Sequence, residues 1–281
     1  MIERDKFQIG RAALLRGLDF GRRGSAALPL IATILFFAVG ATAAATNDLS
    51  NAEIQGRQLA QQLLGQCPAE NFTNTGVMII RDAKGNRAEF LLTCKIITAP
   101  TNWMSIYETA KTNSNGFASG ARLKIVHADN QPDVYTWNNS YSFDSTPVAS
   151  GMGEVKWSGT QWTHPFPGSD FWAVDLGLEF FHWPQQKLLK KVVRSSRGCS
   201  VLESMNPDPA TNGYSRVVSW IDSESGGIIH AEAYDAKGKL LKEYDTKKLR
   251  KVNGQWQLEE MEIRNVQTGS RTRLEFDLKK E

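Results

Sequence analysis

The chain has 281 residues, 41% hydrophobic and 22% charged, which is ample for a buried core and too apolar for a disordered tail. Lys and Arg number 33 against 30 Asp and Glu, but six of the basic residues and three of the acidic ones fall within residues 1–45, leaving 27 of each in the body. A neutral body lacks the basic field that nucleic acid requires, so nucleic acid is excluded as a partner.

Residues 1–45 have the order of an export signal. Arg4, Lys6, Arg11, Arg16, Arg22 and Arg23 precede an uncharged run from Ser25 through Ala45, which closes on Ala41-Thr42-Ala43-Ala44-Ala45. That order predicts a signal peptide cut after Ala43 or Ala45, or a retained inner-membrane anchor over residues 26–45, since about 20 uncharged residues can span a bilayer. Gly24-Ser25-Ala26 after the paired arginines leaves the Sec and twin-arginine routes both open. Either way residues 46–281 are expected in the periplasm, as one domain, because no linker divides them.

Residues 50–66 read as an amphipathic helix, capped by Ser50 or Asn51 and carrying Ile54, Leu59, Leu63 and Leu64 as its apolar stripe. Cys67, Cys94 and Cys199 allow three pairings in an oxidising compartment, with one thiol left over. The preferred pair is Cys67–Cys94, whose closed loop would stabilise by roughly 3–4 kcal/mol.

Past Pro68 the period changes to two. Strands are expected at 75–81 and 87–97, around the turn Asp82-Ala83-Lys84-Gly85-Asn86, and at 102–109, 122–128 and 134–137. A loose stretch follows from Ser140 to Ser169. It leads into an aromatic segment holding Phe171, Trp172, Leu176, Phe180, Phe181 and Trp183, which Ser169 or Asp170 could cap and Pro184 would end. Strands dominate from 187 onward. The clearest are 216–222, 228–235, 239–249, 255–264 and 270–279, separated by Gly-containing turns. The last alternates Thr272, Leu274, Phe276 and Leu278 with Arg271, Arg273, Glu275 and Asp277, the pattern of an antiparallel sheet dry on one face. Asp-Ala-Lys-Gly occurs at 82–85 and again at 235–238, which reads as one turn solution used twice.

The chemistry of catalysis is missing from the motifs. His127, His164, His182 and His230 are scattered, with no H-E-x-x-H or H-x-H spacing, and no G-x-S-x-G elbow, phosphate loop or dinucleotide fingerprint occurs. Asp222 and Glu224 read as a solvated hairpin end, and Cys199 as a buried or disulfide-bonded cysteine rather than a nucleophile. Lys187, Lys190, Lys191, Arg194 and Arg197 read as a charged outer strand face. No enzyme, cofactor or metal is therefore expected. The unusual supply is aromatic: eight Trp, all beyond residue 100. The 171–183 cluster, together with Trp220, is the candidate lining or lid of an apolar pocket.

Several stretches in order resemble the outer-membrane lipoprotein-sorting protein family, which is related in fold to the periplasmic lipoprotein carrier. They are Gly168-Ser169-Asp170-Phe171 with Asp175-Leu176, Cys199-Ser200-Val201-Leu202-Glu203-Ser204, Val218–Asp222, Ala231–Asp235 through Gly238–Leu241, Trp256, Met261-Glu262-Ile263 and Gln267–Thr272. The resemblance covers about 70–279 and is strongest from 168. It implies an α+β fold, mostly antiparallel: an unclosed half β-barrel wrapped around short helices, with an N-terminal amphipathic helix. It also implies a carrier of acyl chains, of lipoprotein or lipid, with an inner-membrane donor and an outer-membrane acceptor as partners. The alternative is a membrane-anchored, non-catalytic envelope module that binds protein or serves a structural role.

Overall fold

Period-two alternation over most of the chain becomes one continuous sheet. The structure, a computed structural model, describes residues 49–68, 70–112, 118–128, 131–138, 155–157, 163–252 and 255–278. The export segment at 1–45 and much of the loose stretch after Ser140 lie outside those residues. In chain order the elements are α1 (Asn51–Leu64), β1 (Phe72–Arg81), β2 (Arg87–Thr98), β3 (Asn102–Thr112), β4 (Ala118–Ala128), β5 (Val134–Asn138), β6 (Val155–Trp157) and α2 (Ala173–Gly177). A 3₁₀ turn (Glu179–His182) follows, then β7 (Gln185–Arg194), β8 (Arg197–Met205), β9 (Tyr214–Asp222), β10 (Ile228–Asp235), β11 (Leu240–Val252), β12 (Gln255–Asn265) and β13 (Arg271–Phe276).

The thirteen described strands run β6-β5-β4-β3-β2-β1-β13-β12-β11-β10-β9-β8-β7, every neighbour antiparallel. Two meanders are thus joined side by side where β1 meets β13, with Met78 opposite Leu274. The sheet is mostly antiparallel and unclosed, as in a half-barrel. The expected alternation in β13 holds: Thr272, Leu274 and Phe276 are buried, and Arg273 lies on the other face among Glu260, Glu262 and Glu275.

β6 is one edge of the sheet and β7 is the other, and residues 163–184 between them cross its inner face. That crossing, here termed the strap (residues 163–184), carries Phe166, Phe171, Leu176, Phe180, Phe181 and Trp183, all buried in the core. The core is completed by inward side chains of both meanders, among them Met78, Leu92, Tyr107, Leu123, Tyr135, Ile221, Leu258 and Met261.

Helix α1 starts at Ser50, whose hydroxyl accepts from the Glu53 N–H while the Glu53 carboxylate accepts from the Ser50 N–H at 2.7 Å. It packs on β7 and the 3₁₀ turn. Its buried positions are Gly56, Ala60 and Leu63, and Ile54 is 44% exposed, so the stripe is rotated from the one expected. The reason is steric: a Cβ on Gly56 would lie 2.6 Å from the Lys187 backbone, so the helix docks by its smallest residue.

The Cys67–Cys94 bond is not made. Cys94 is a buried thiol on the inner face of β2, its pKa pushed up to about 12 by burial, and Cys67 stands exposed beyond the end of α1. Cys199 is a buried thiol on β8. The basic residues of β7 lie at an outer sheet edge, where Lys187, Lys190 and Lys191 are exposed, as edge strands commonly are protected.

Candidate functional site in the strap

The strap is irregular because its polar side chains are committed to the sheet rather than to each other. A tight loop at Gly168 (φ 68°) turns the chain back, with the Phe166 N–H donating to the Phe171 carbonyl at 2.7 Å. Ser169 and Asp170 do not cap a helix. Asp170 is buried and accepts from the hydroxyls of Ser270 at 2.5 Å and Thr272 at 2.9 Å, anchoring the strap to β13. Helix α2 starts instead at Trp172, whose N–H donates to the Asp175 carboxylate at 2.8 Å. It lasts five residues and stops at Leu178, which is left-handed (φ 54°, ψ 37°) although it has a Cβ. That conformation costs about 1–2 kcal/mol and makes Leu178 a strained joint between α2 and the 3₁₀ turn. Gln186 closes the far end: its amide donates to the carbonyls of Phe180 and Trp183 at 2.9 and 2.8 Å, and its carbonyl accepts from Ser204.

Between the strap and β9–β12 lies an apolar cavity of about 50 Å³. The strap contributes Phe171, Leu176, Leu178 and Phe180. The sheet contributes Val217, Met261, Ile263 and the small side chains of Ala231 and Ala233, which open the space. A water needs roughly 10–15 Å³ of such volume, so this closed form holds a few water-sized bodies and not a long chain.

One wall is ionic. Lys242 on β11 is 1% exposed, its Nζ 3.3 Å from Asp175 Oδ2 and 3.4 Å from the centroid of the Trp172 ring. Asp175 also accepts from the Tyr214 hydroxyl at 2.9 Å, and Tyr214 stacks on Trp172 with centroids 4.8 Å apart. Burial lowers the Lys242 pKa to about 8, against the attraction of Asp175 and Asp170. The same burial, reinforced by Asp175, holds the Tyr214 hydroxyl well above its ordinary value.

Of the residues singled out in the sequence, Phe171, Leu176 and Phe180 meet at the cavity. Trp172 screens Lys242. Phe181 and Trp183 pack around Phe180 inside the core and do not line the space. Trp220 sits on the opposite face of β9 from Val217 and Ile221, edge-on to His230 with Arg194 5.3 Å away. Sequence reading missed Asp175, Leu178, Lys242 and the two alanines. Lys242 was findable: it has the same parity as the inward Tyr244, a lysine where the strand pattern calls for an apolar residue.

A family model described only as "-like: Uncharacterized protein" matches residues 154–279. No curated protein matches the sequence. Among solved structures, a DUF1329 family protein from Desulfovibrio piger superimposes with a TM-score of 0.63 at 18% identity, over 81% of this chain and 92% of that one. A Vibrio parahaemolyticus domain, provisionally named as an outer membrane lipoprotein-sorting protein, gives 0.64 at 20% over 80% and 92%. A LolA superfamily protein from Nitrosomonas europaea gives 0.54 at 13% over 82% and 93%. These likenesses show the LolA-like fold, the same architecture that the sequence resemblance implied. No helix among the described residues is long and apolar enough to cross a membrane.

Proposed function

We propose that the protein is a non-catalytic periplasmic carrier that receives an acyl chain, of a lipoprotein or a lipid, beneath the strap and passes it toward the outer membrane. The observation that carries this reading is the cavity itself: an apolar space made by two alanines, roofed by a strained strap, with one buried lysine in its wall. A charge that burial disfavours is a poor choice for stability and a good one for pairing with an anionic or carbonyl head group entering with the chain. Fold likeness to a sorting domain and to a LolA superfamily protein supports the same direction.

Each methylene transferred from water contributes about 0.8 kcal/mol, which offsets the loss of strap packing as the chain enters. Release follows when the strap recloses and an acceptor offers an equivalent apolar site. Native mass spectrometry of protein from its own envelope tests the reading. Wild type should carry lipid, and Ala231→Phe, which fills the cavity, should carry none while keeping the wild-type circular dichroism. A lipid-free wild type that binds no added acyl ligand would instead favour a structural or protein-binding module.

A further inference from the structure

A second polar cluster lies where the strap meets the first meander. Glu179 and His182 occupy positions i and i+3 of the 3₁₀ turn, whose three-residue repeat places them on one side. Asp133, just before β5, faces them, and one ligand atom from each of the three residues lies within 4.8 Å of the others. Asp133 and Glu179 are buried, and a cation beside them would offset the cost of holding two carboxylates in so dry a place. His182 Nε2 is buried with no hydrogen-bond partner, 3.5 Å from Asp133 Oδ1.

The surrounding residues orient these groups as outer-shell partners orient metal ligands. His127 Nδ1 lies 2.8 Å from Asp133 Oδ2, and its Nε2 lies 3.0 Å from the Ser105 hydroxyl, which fixes the ring. That ring also stacks on Trp103 with centroids 3.8 Å apart. The Tyr135 hydroxyl donates to Glu179 Oε2 at 2.9 Å. Three ligands about 2.0–2.2 Å from a shared ion stand about 3.3–3.8 Å apart. His182 Nε2 and Asp133 Oδ1 already stand 3.5 Å apart, and the longest side of the cluster has to contract by about 1 Å, within the reach of a side-chain rotation.

We propose that Asp133, Glu179 and His182 bind a divalent transition-metal cation, zinc or manganese, which clasps the strap to the first meander. One imidazole with two carboxylates suits those ions better than magnesium or calcium, which take all-oxygen shells, or copper(I), which prefers sulfur. The ion would tie Glu179 and His182, just past the Leu178 joint, to the residue that leads into β5 of the first meander.

The test is calorimetric titration of ZnCl₂ and MnCl₂ into the chain, purified without a polyhistidine tag and stripped with EDTA. One ion per chain with micromolar or tighter affinity is expected for at least one metal. His182→Gln should weaken it at least tenfold, with circular dichroism unchanged, whereas His230→Gln, at a histidine paired with Asp245, should not. Should His182→Gln fail to fold, X-ray absorption of the loaded wild type decides: a nitrogen-and-oxygen shell supports the site, and sulfur in the shell overturns it. Stripped, folded wild type that binds neither ion also overturns it, as does unchanged affinity in a folded His182→Gln.

Discussion

At pH 7 the Lys242 ammonium is mostly charged inside a wall of Trp172, Tyr214 and Phe171, because its pKa of about 8 still lies above neutrality. In the unfolded chain the same group titrates near 10.4. Between those values the unfolded state binds more protons than the folded one, so this group's contribution to stability rises with pH and is least favourable below 8. Wild type should therefore gain about 2 kcal/mol relative to Lys242→Met between pH 7 and 9.5, read as urea midpoints at the two pH values. Parallel pH dependence in the two proteins would mean that the charge is not desolvated. Other residues were plain from sequence. The repeated Asp-Ala-Lys-Gly is one turn used twice: Asp82 Oδ1 accepts from the N–H groups of Lys84 and Asn86, Asp235 Oδ1 from those of Lys237 and Lys239, with Gly85 and Gly238 at positive φ. Short-range turn chemistry is legible because all its partners lie within four residues. Lys242 depends on Asp175, 67 residues away.

The same distinction governs the elements. Helix α1 was legible in its bounds, since Ser50 and Glu53 form the capping box from adjacent sequence. Its docking face was not, because Ile54 looks like an anchor and Gly56 does not, until β7 is brought against it. Adding a methyl at Gly56 gains about 1 kcal/mol of helix propensity but forces overpacking against backbone, typically 1–3 kcal/mol. Gly56→Ala should thus be neutral to destabilising by about 2 kcal/mol and should raise amide exchange in α1. Ile54→Ser should change neither. A Gly56→Ala protein more stable by the full propensity gain would show that α1 is not seated on β7. The strap was legible as an aromatic segment ending at Pro184, but not in its internal break. Ser169 and Asp170 resemble a helix start in sequence, and only the return of β13, some 100 residues later, diverts Asp170 to Ser270 and Thr272.

At the scale of the molecule, individual hairpins follow from the turns, whereas the seam does not: β1 pairs with β13 across about 200 residues, and no local signal specifies it. That seam makes β6 and β7 the two edges, and the edges make the strap a crossing. The strap is tied to both meanders, by Tyr107 and Tyr135 on one side and by Thr272, Tyr214 and Lys242 on the other. An acyl chain beneath it would bear on both at once, so occupancy should stabilise the whole fold rather than one part. At a hundredfold excess over Kd a ligand specific for the folded state adds about 2.7 kcal/mol, which for a protein of this size raises Tm by roughly 5–10 °C. Straight-chain fatty acids of increasing length, at one fixed concentration, should raise Tm in steps, since each added methylene tightens binding about fourfold while it still finds apolar wall. The series should level off once the chain outgrows the space that the lifted strap opens. Ala231→Phe should abolish the increments without lowering the ligand-free Tm by a comparable amount. Wild type with no dependence on chain length would mean that the 50 Å³ space is only a packing gap in a closed core, and that the strap serves to join the two meanders.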